Sequence, residues 1–327
     1  MRKAQFLIAV MLAAASLGCN AASSPSQPEP AQPPASASLA TINAPAATTE
    51  GNSQHIDGKR AMQYVKELIA FGRRAPGSPG MAKQQAYLRT KLKGDNLEED
   101  SFKVTTPVGE FQFINFIAKY PGTTNDVIVI ASHYDTPYAL KDFVGANDGG
   151  SSSALLLELA NQFRGKKRTG PAIWLVWLDG EESVFQKWSD PDSLYGSRHL
   201  AEKWKQDGTS KQIKAFILTD MIGDSELNID HDANSTKWLS DLVYQAATNL
   251  SKKSYFYGRD TAIDDDHVPF VKAGIPSVDI IDLDYGYNNV YHHSPQDTID
   301  KLSVNSLQVV GDVVLETVRL LSSGAHQ

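Results

Sequence analysis

Ala172-Ile-Trp-Leu-Val-Trp-Leu178, followed at once by Asp179-Gly180-Glu181-Glu182, is the stretch that decides the fold. Seven consecutive apolar residues are short for a helix and lack the alternation of a half-solvated strand. They read as a strand buried on both faces, the kind found in parallel sheets. The glycine and three acids then end it. Val127–Ser132 (VIVIAS) repeats the pattern and runs into His133-Tyr134-Asp135. Ala215–Thr219 (AFILT) runs into Asp220, and Ser277–Ile281 (SVDII) supplies a fourth strand. Between and after them, Ser151–Phe163, Ser193–Lys205, Trp238–Leu250 and Val304–Leu321 read as helices. This alternation predicts an α/β fold with a largely parallel, twisted sheet covered by helices. Upstream, Asp57 caps a helix reaching about Phe71, Gly72–Gly80 is a loop, and Met81–Leu92 is a second helix. Ser101–Thr106 and Phe111–Tyr120 form a hairpin.

The chain has 327 residues, 41% hydrophobic, enough for a large packed core. Its formal charge of −7 argues against nucleic acid as a partner, since that affinity comes from basic surface. No Gly-rich dinucleotide fingerprint opens a helix after a strand. Cys19 is the single cysteine, which excludes an intrachain disulfide and a Cys-rich zinc site. It follows Arg2, Lys3 and an apolar run from Phe6 to Leu17 that is too short to span a bilayer. Ser16-Leu17-Gly18-Cys19 resembles the lipobox of bacterial lipoproteins, with Ser16 where the usual pattern has Leu. Residues 1–19 are therefore expected to be a lipoprotein signal peptide. The protein would be exported and lipid-anchored through Cys19 to a bacterial membrane, facing the periplasm or cell surface. Residues 20–54 hold six prolines, no aromatic residue and only two charges, Glu29 and Glu50. They cannot bury enough apolar area to offset ordering, which marks a tether. Residues 55–327 are the single catalytic domain.

In open α/β sheets ligands bind beyond the carboxyl ends of the strands. Here that rim receives His133 and Asp135, Asp179, Glu181 and Glu182, and Asp220. Asp148, in the tight loop Gly145-Ala-Asn-Asp-Gly-Gly150, adds another acid, and Tyr291-His292-His293 adds imidazole. Each acid alone could be an ordinary loop residue or cap. Together they repel unless a divalent cation intervenes, and a His/Asp/Glu set suits zinc.

His133-x-Asp135, Gly145-Ala-Asn-Asp148-Gly, Asp179-Gly-Glu181-Glu182, Asp220-Met-Ile-Gly223 and the late His292 resemble the zinc aminopeptidase family that includes co-catalytic metallopeptidases. The resemblance runs from about Asp57 to Leu321. It implies a three-layer α/β/α sandwich with a central mixed, mostly parallel sheet of eight strands or fewer. Within that family, Trp188-Ser-Asp-Pro-Asp192-Ser-Leu-Tyr195-Gly-Ser-Arg198-His199-Leu and Ile263-Asp264-Asp265-Asp266-His267-Val-Pro-Phe270 are similar to the glutaminyl cyclases. That branch converts N-terminal glutamine to pyroglutamate with release of ammonia. Typical aminopeptidases have Ser-Asp-His where this chain has an acid.

Carried over by position, the resemblance implies Asp148, Glu182 and His292 as ligands of one zinc ion. It makes Glu181 the general acid/base, with Asp220 and Asp265 in a hydrogen-bond network around it. Trp188, Tyr291 and Asp264 would line the substrate pocket. Tyr291 stands where the cyclases carry Trp, and Asp264 where they carry Gln. A one-residue slip between His292 and His293 would leave the rest unchanged. His133 and Asp220 match the additional ligands of a second zinc in the peptidases, so the ligand types leave the metal count open. The expected function is zinc-dependent glutaminyl-peptide cyclotransfer on peptide or protein N-termini. The alternatives are an aminopeptidase with two zinc ions and a non-catalytic surface lipoprotein of the same fold. His267 is expected to be structural or to sit behind the site, and His199 and His231 at the surface.

Overall fold

The computed structural model describes residues 55–324 except Gln186. The expected signal peptide, Cys19 and the tether lie outside the described residues. The elements in chain order are α1 Gly58–Ile69, α2 Pro79–Lys91, β1 Asn96–Thr106, β2 Gly109–Tyr120, β3 Val127–His133, α3 Gly150–Phe163 and β4 Ala172–Leu178. They continue with α4 Tyr195–Gln206, β5 Ile213–Asp220, β6 Ile229–Asp232, α5 Lys237–Asn249, β7 Phe256–Thr261, α6 His267–Lys272, β8 Ser277–Ile281 and α7 Val304–Ser323.

Local chemistry sets the helix starts. The Asp57 carboxylate accepts from the Arg60 N–H at 3.0 Å and caps α1. Ser78 caps α2, and Pro79 occupies its first turn, where no hydrogen-bond donor is needed. The main sheet has the order β1-β2-β4-β3-β5-β8. β3, β4, β5 and β8 run parallel, while the β1–β2 hairpin joins β4 antiparallel. The sheet is thus mixed, with six strands.

Period-2 alternation distributes the side chains to two cores. Ile128 and Ile130 of β3, Ile173, Leu175 and Trp177 of β4, and Ala215 and Ile217 of β5 face a core shared with α1, α3, α5 and α7. Val127, Val129 and Ala131, Val176 and Leu178, and Phe216 and Leu218 face a second core with α4 and α6, including Leu200, Trp204 and Phe270. Helices on both faces make the three-layer sandwich.

Three elements depart from expectation. β6 (IDHD) and β7 (FYGRDT) pair in parallel as a separate two-stranded sheet. Their polar composition hides them, because neither presents a continuous apolar face. α6, His267–Lys272, is a six-residue helix that begins within the Ile263–Phe270 motif and is too short to show a helical period.

Candidate active site: a buried acidic rim with converging metal donors

The parallel strands end together. His133 closes β3 beside Leu178 of β4, and Asp220 closes β5 beside Ile281 of β8. Asp179, Glu181 and Glu182 follow β4 directly, so all the expected acids reach one rim. A cavity of about 380 Å³ opens there, walled by Asp148, Glu181, Glu182, Trp188, Asp220, Asp264, Asp265, His292 and His293 among others.

Backbone and buried side chains aim the donors. Asp135, fully buried, accepts from the Glu181 and Glu182 N–H groups at 3.1 and 3.2 Å, which fixes the paired glutamates. Asp297 does the same for the neighbouring loop, accepting from Asn147 and Asp148 N–H at 2.8 and 3.2 Å and from the Tyr285 hydroxyl at 2.9 Å. Gly149 turns the chain there at φ +71°, and a Cβ would meet the Asp135 carbonyl at 2.7 Å. Beneath the loop the fully buried Arg74 guanidinium donates to the carbonyls of Val144 and Gly145. Burial lowers the Arg74 pKa to about 10, against the pull of Asp297, Asp148 and Asp135.

The metal donors form two overlapping groups. Nε2 of His293 lies 3.2 Å from Glu182 Oε1 and 3.4 Å from Asp148 Oδ2. Asp148 Oδ2 and Glu182 Oε2 are buried with no hydrogen-bond partner among the described residues. Nε2 of His133 lies 3.0 Å from Asp220 Oδ1 and 3.2 Å from Asp148 Oδ1. Two carboxylates and an imidazole converging with unsatisfied oxygens are the donor set a divalent cation satisfies, and the types suit zinc.

Electrostatics follow from the crowding. Burial, then Glu182 and Asp265, hold the Glu181 carboxyl well above the usual range, with His133 opposing. Burial and Asp148 raise Glu182 to about 7, His293 opposing, and burial and Asp220 raise Asp265 to about 6. Although burial disfavours its charge, Glu182 and Asp148 lift His293 to about 11.

Both histidines of the pair reach the rim: His293 lies against Asp148 and Glu182, and His292, its Nδ1 3.1 Å from the Asn289 amide, offers a ligand atom within 4.8 Å of those of Asp148 and His293. Two expectations shift. Tyr291 is not in the cavity wall: its ring packs edge-on against Tyr285 at 5.3 Å, under the Lys301 ammonium. His292 lines the cavity in its place. His293 itself sits in a left-handed turn (φ +48°) that no periodicity announces. Second, Asp220 accepts from the Met221 N–H and pairs with the His133 ring, so its effect on Asp265 is electrostatic rather than a shared hydrogen bond.

Trp188, half-buried, and Asp264, exposed, line the cavity as expected. His267 is fully buried between Asp232 and Asp279, at 3.0 and 3.7 Å. His199 is only partly at the surface, stacked on Phe102 at 3.9 Å. His231 pairs with Asp260 at 2.7 Å.

Peptidase family M28 matches residues 115–318, which span every strand-end residue above. The chain belongs to peptidase family M28. Within M28 its relatives include a glutaminyl-peptide cyclotransferase of Boiga irregularis, 30% identical over 290 residues, 76% of this chain and 78% of the other. A glutaminyl-peptide cyclotransferase-like protein of Bos taurus is 33% identical over 250 residues, 67% of this chain; the chain spans 64% of that relative's length. The crystal structure of an Acidobacteriales bacterium glutaminyl cyclase superposes with a TM-score of 0.82 at 48% identity, covering 87% of this chain and all (100%) of that one. An M28 fold accounts for the mixed sheet and for the concentration of donors at its carboxyl edge.

Proposed function

We propose that this protein is a zinc-dependent glutaminyl-peptide cyclotransferase, closing the N-terminal glutamine of peptides or proteins to pyroglutamate and releasing ammonia. The observation that carries the reading is Glu181. It is a buried carboxyl on the cavity wall, held well above the usual range by burial, Glu182 and Asp265, with only the His133 imidazole, 3.7 Å away, opposing. Such a group is suited to take up and return a proton near neutral pH. The kinship with glutaminyl cyclases supports the substrate class.

Asp148, Glu182 and His293 would hold the zinc ion. When bound, zinc polarises the side-chain amide oxygen of the substrate and offsets the charge that develops on it. Trp188 and His292 flank the space for the glutamine side chain and hold it bent toward its own amine. Because amine and amide carbon belong to one residue, positioning supplies much of the rate gain. The α-amine nitrogen bonds to the side-chain amide carbon, and the bond from that carbon to its NH2 group breaks. Glu181 takes the proton from the amine and delivers it to the departing nitrogen, which leaves as ammonia. No water is consumed. Asp265 acts through repulsion, keeping Glu181 protonatable, and Asp220 in turn raises Asp265.

One observation favours a second reading. His133, Asp148 and Asp220 form a further buried donor group, so an aminopeptidase with two zinc ions fits the same rim. Glu181 would then activate water. Incubation with Gln-Ala and Leu-Ala separates the two. Ammonia from Gln-Ala without cleavage is expected; free leucine would overturn the cyclase reading in favour of the peptidase. Metal analysis is expected to give one zinc per chain. Silence with both peptides and zinc bound would instead favour a non-catalytic lipoprotein.

The exported, lipid-anchored location belongs to this proposal as well. It rests on Arg2-Lys3, the apolar run and Cys19. Among the described residues no helix is long and apolar enough to cross a membrane. Labelling with a lipid precursor tests the anchor, and label persisting in Cys19→Ser would exclude it.

A further inference from the structure

A second cavity, of about 270 Å³, lies where α3 and α7 end. α3, fourteen residues long, starts at the catalytic rim with Gly150 and ends at Phe163, so the cavity sits about 20 Å from the catalytic centre. Lys166, Lys167, Arg168 and Arg319 line it, and no acid is among its described lining residues. That is unusual on a chain whose formal charge is −7.

Ordinary structural roles account for part of this charge. Arg319 is held by Glu316 at 2.6 Å. Two helix carboxyl ends converge there, each worth about half a negative charge. Glu316 and the two ends together offset about two of the four cations, leaving a surplus of about two. Arg168 shows the surplus directly. Its guanidinium lies 5.1 Å from the Phe163 ring, and its Nε is buried without a hydrogen-bond partner. Burial alone moves its pKa, downward, with no carboxylate compensating. A planar, partly desolvated guanidinium with no carboxylate partner, flanked by two exposed lysines, suits tetrahedral oxyanions.

We propose that this cavity binds a phosphate-class anion of about two negative charges, at a site separate from the reaction centre. A free phosphate and a lipid headgroup phosphate share this chemistry. Arg168 is the anchoring donor, and Lys166 and Lys167 supply charge.

The test uses the full chain carrying Cys19→Ser, so that no acyl chain can mediate membrane contact, in buffer free of phosphate. Inorganic phosphate is titrated by calorimetry against chloride at equal ionic strength. In parallel the protein is floated with phosphatidylcholine vesicles, with and without one third phosphatidylglycerol. The double variant Arg168→Ala/Lys167→Ala is compared with Lys205→Ala/Lys211→Ala, two exposed lysines elsewhere that remove the same charge. Unchanged ammonia release from Gln-Ala, or an unchanged circular dichroism melt, shows that each variant is folded. Saturable phosphate binding, weakened about tenfold or more only in the cavity variant, supports the site with a free anion as ligand. Phosphatidylglycerol-dependent flotation, lost only in the cavity variant, supports it with a headgroup as ligand. Absence of both, or equal loss in the two double variants, overturns the proposal.

Discussion

Buried glutamates at two places in this protein have opposite surroundings. Glu158, in the middle of α3, receives Arg60 through two bonds of 2.6 and 2.7 Å and the Asp57 N–H at 3.0 Å. Glu181 and Glu182, at the end of β4, meet Asp148, Asp265 and each other, with only imidazoles opposing. Burying a carboxylate is costly unless it is paired, so the first arrangement is one of structure. The second persists because surrounding elements over-determine it: Asp135 and Asp297 hold the backbone from behind, and a bound cation would relieve the repulsion. A buried acid held by a guanidinium stabilises the fold. A buried acid crowded by other acids, with only imidazoles opposing, is available for chemistry.

The contrast can be broken most sharply at Glu181. Glu181→Gln should lower ammonia release from Gln-Ala by about 10³-fold while zinc content and melting temperature hold or the melt rises. A fall in stability without loss of turnover would dissolve the distinction. The metal donors come next. His293→Ala should weaken zinc at least about 100-fold, whereas His292→Ala should change it by no more than about threefold, read by competition with a chelator. The reverse order would return the ligand role to His292.

At the structural pole, Glu158→Gln should cost about 2 kcal/mol, a melting shift of about 5 °C, with turnover unchanged. The smallest effect is at Asp100, buried on β1 beneath the partly exposed His199 and Lys203. Burial raises its pKa, but His199 and Lys203 outweigh it and bring it to about 2. A carboxylate depressed in the folded state stabilises above its unfolded value near 4 and loses that contribution as pH falls toward 2. Asp100→Asn should therefore flatten the acid limb of the stability curve between those values. The effect is at most about 1 kcal/mol, since the pair is partly solvated. An unchanged acid limb would show that this ion pair contributes nothing.

The acids of the rim were legible because each directly follows an apolar run. A strand that stops at Leu178 leaves Asp179 no place but the sheet edge. The hairpin, the four parallel strands and their covering helices follow from the same periodicities. The loop from Leu283 to Asp297 was not legible. It has no repeating pattern, so nothing local says which of Tyr291, His292 and His293 turns inward. One signal was available: Asp297, whose carboxylate ties this loop to the backbone of Asn147 and Asp148, sits four residues after His293. Arg74 was passed over as loop, although burial of its guanidinium secures the Asp148 turn.

The sequence by itself determined the α/β order, the placement of Asp148, Glu181, Glu182 and Asp220 at strand or loop ends, and the resemblance that names the chemistry. These depend on local hydrophobic period and on which residues interrupt it. Tertiary structure alone decided that His293 meets Glu182, that Tyr291 packs away from the cavity, and that Asp135 and Asp297 hold the rim from behind. It also decided that four cations from two helix ends share one cavity. Each of these is a contact between segments far apart in the chain, and side-chain direction in an aperiodic loop is set by the surface it packs against.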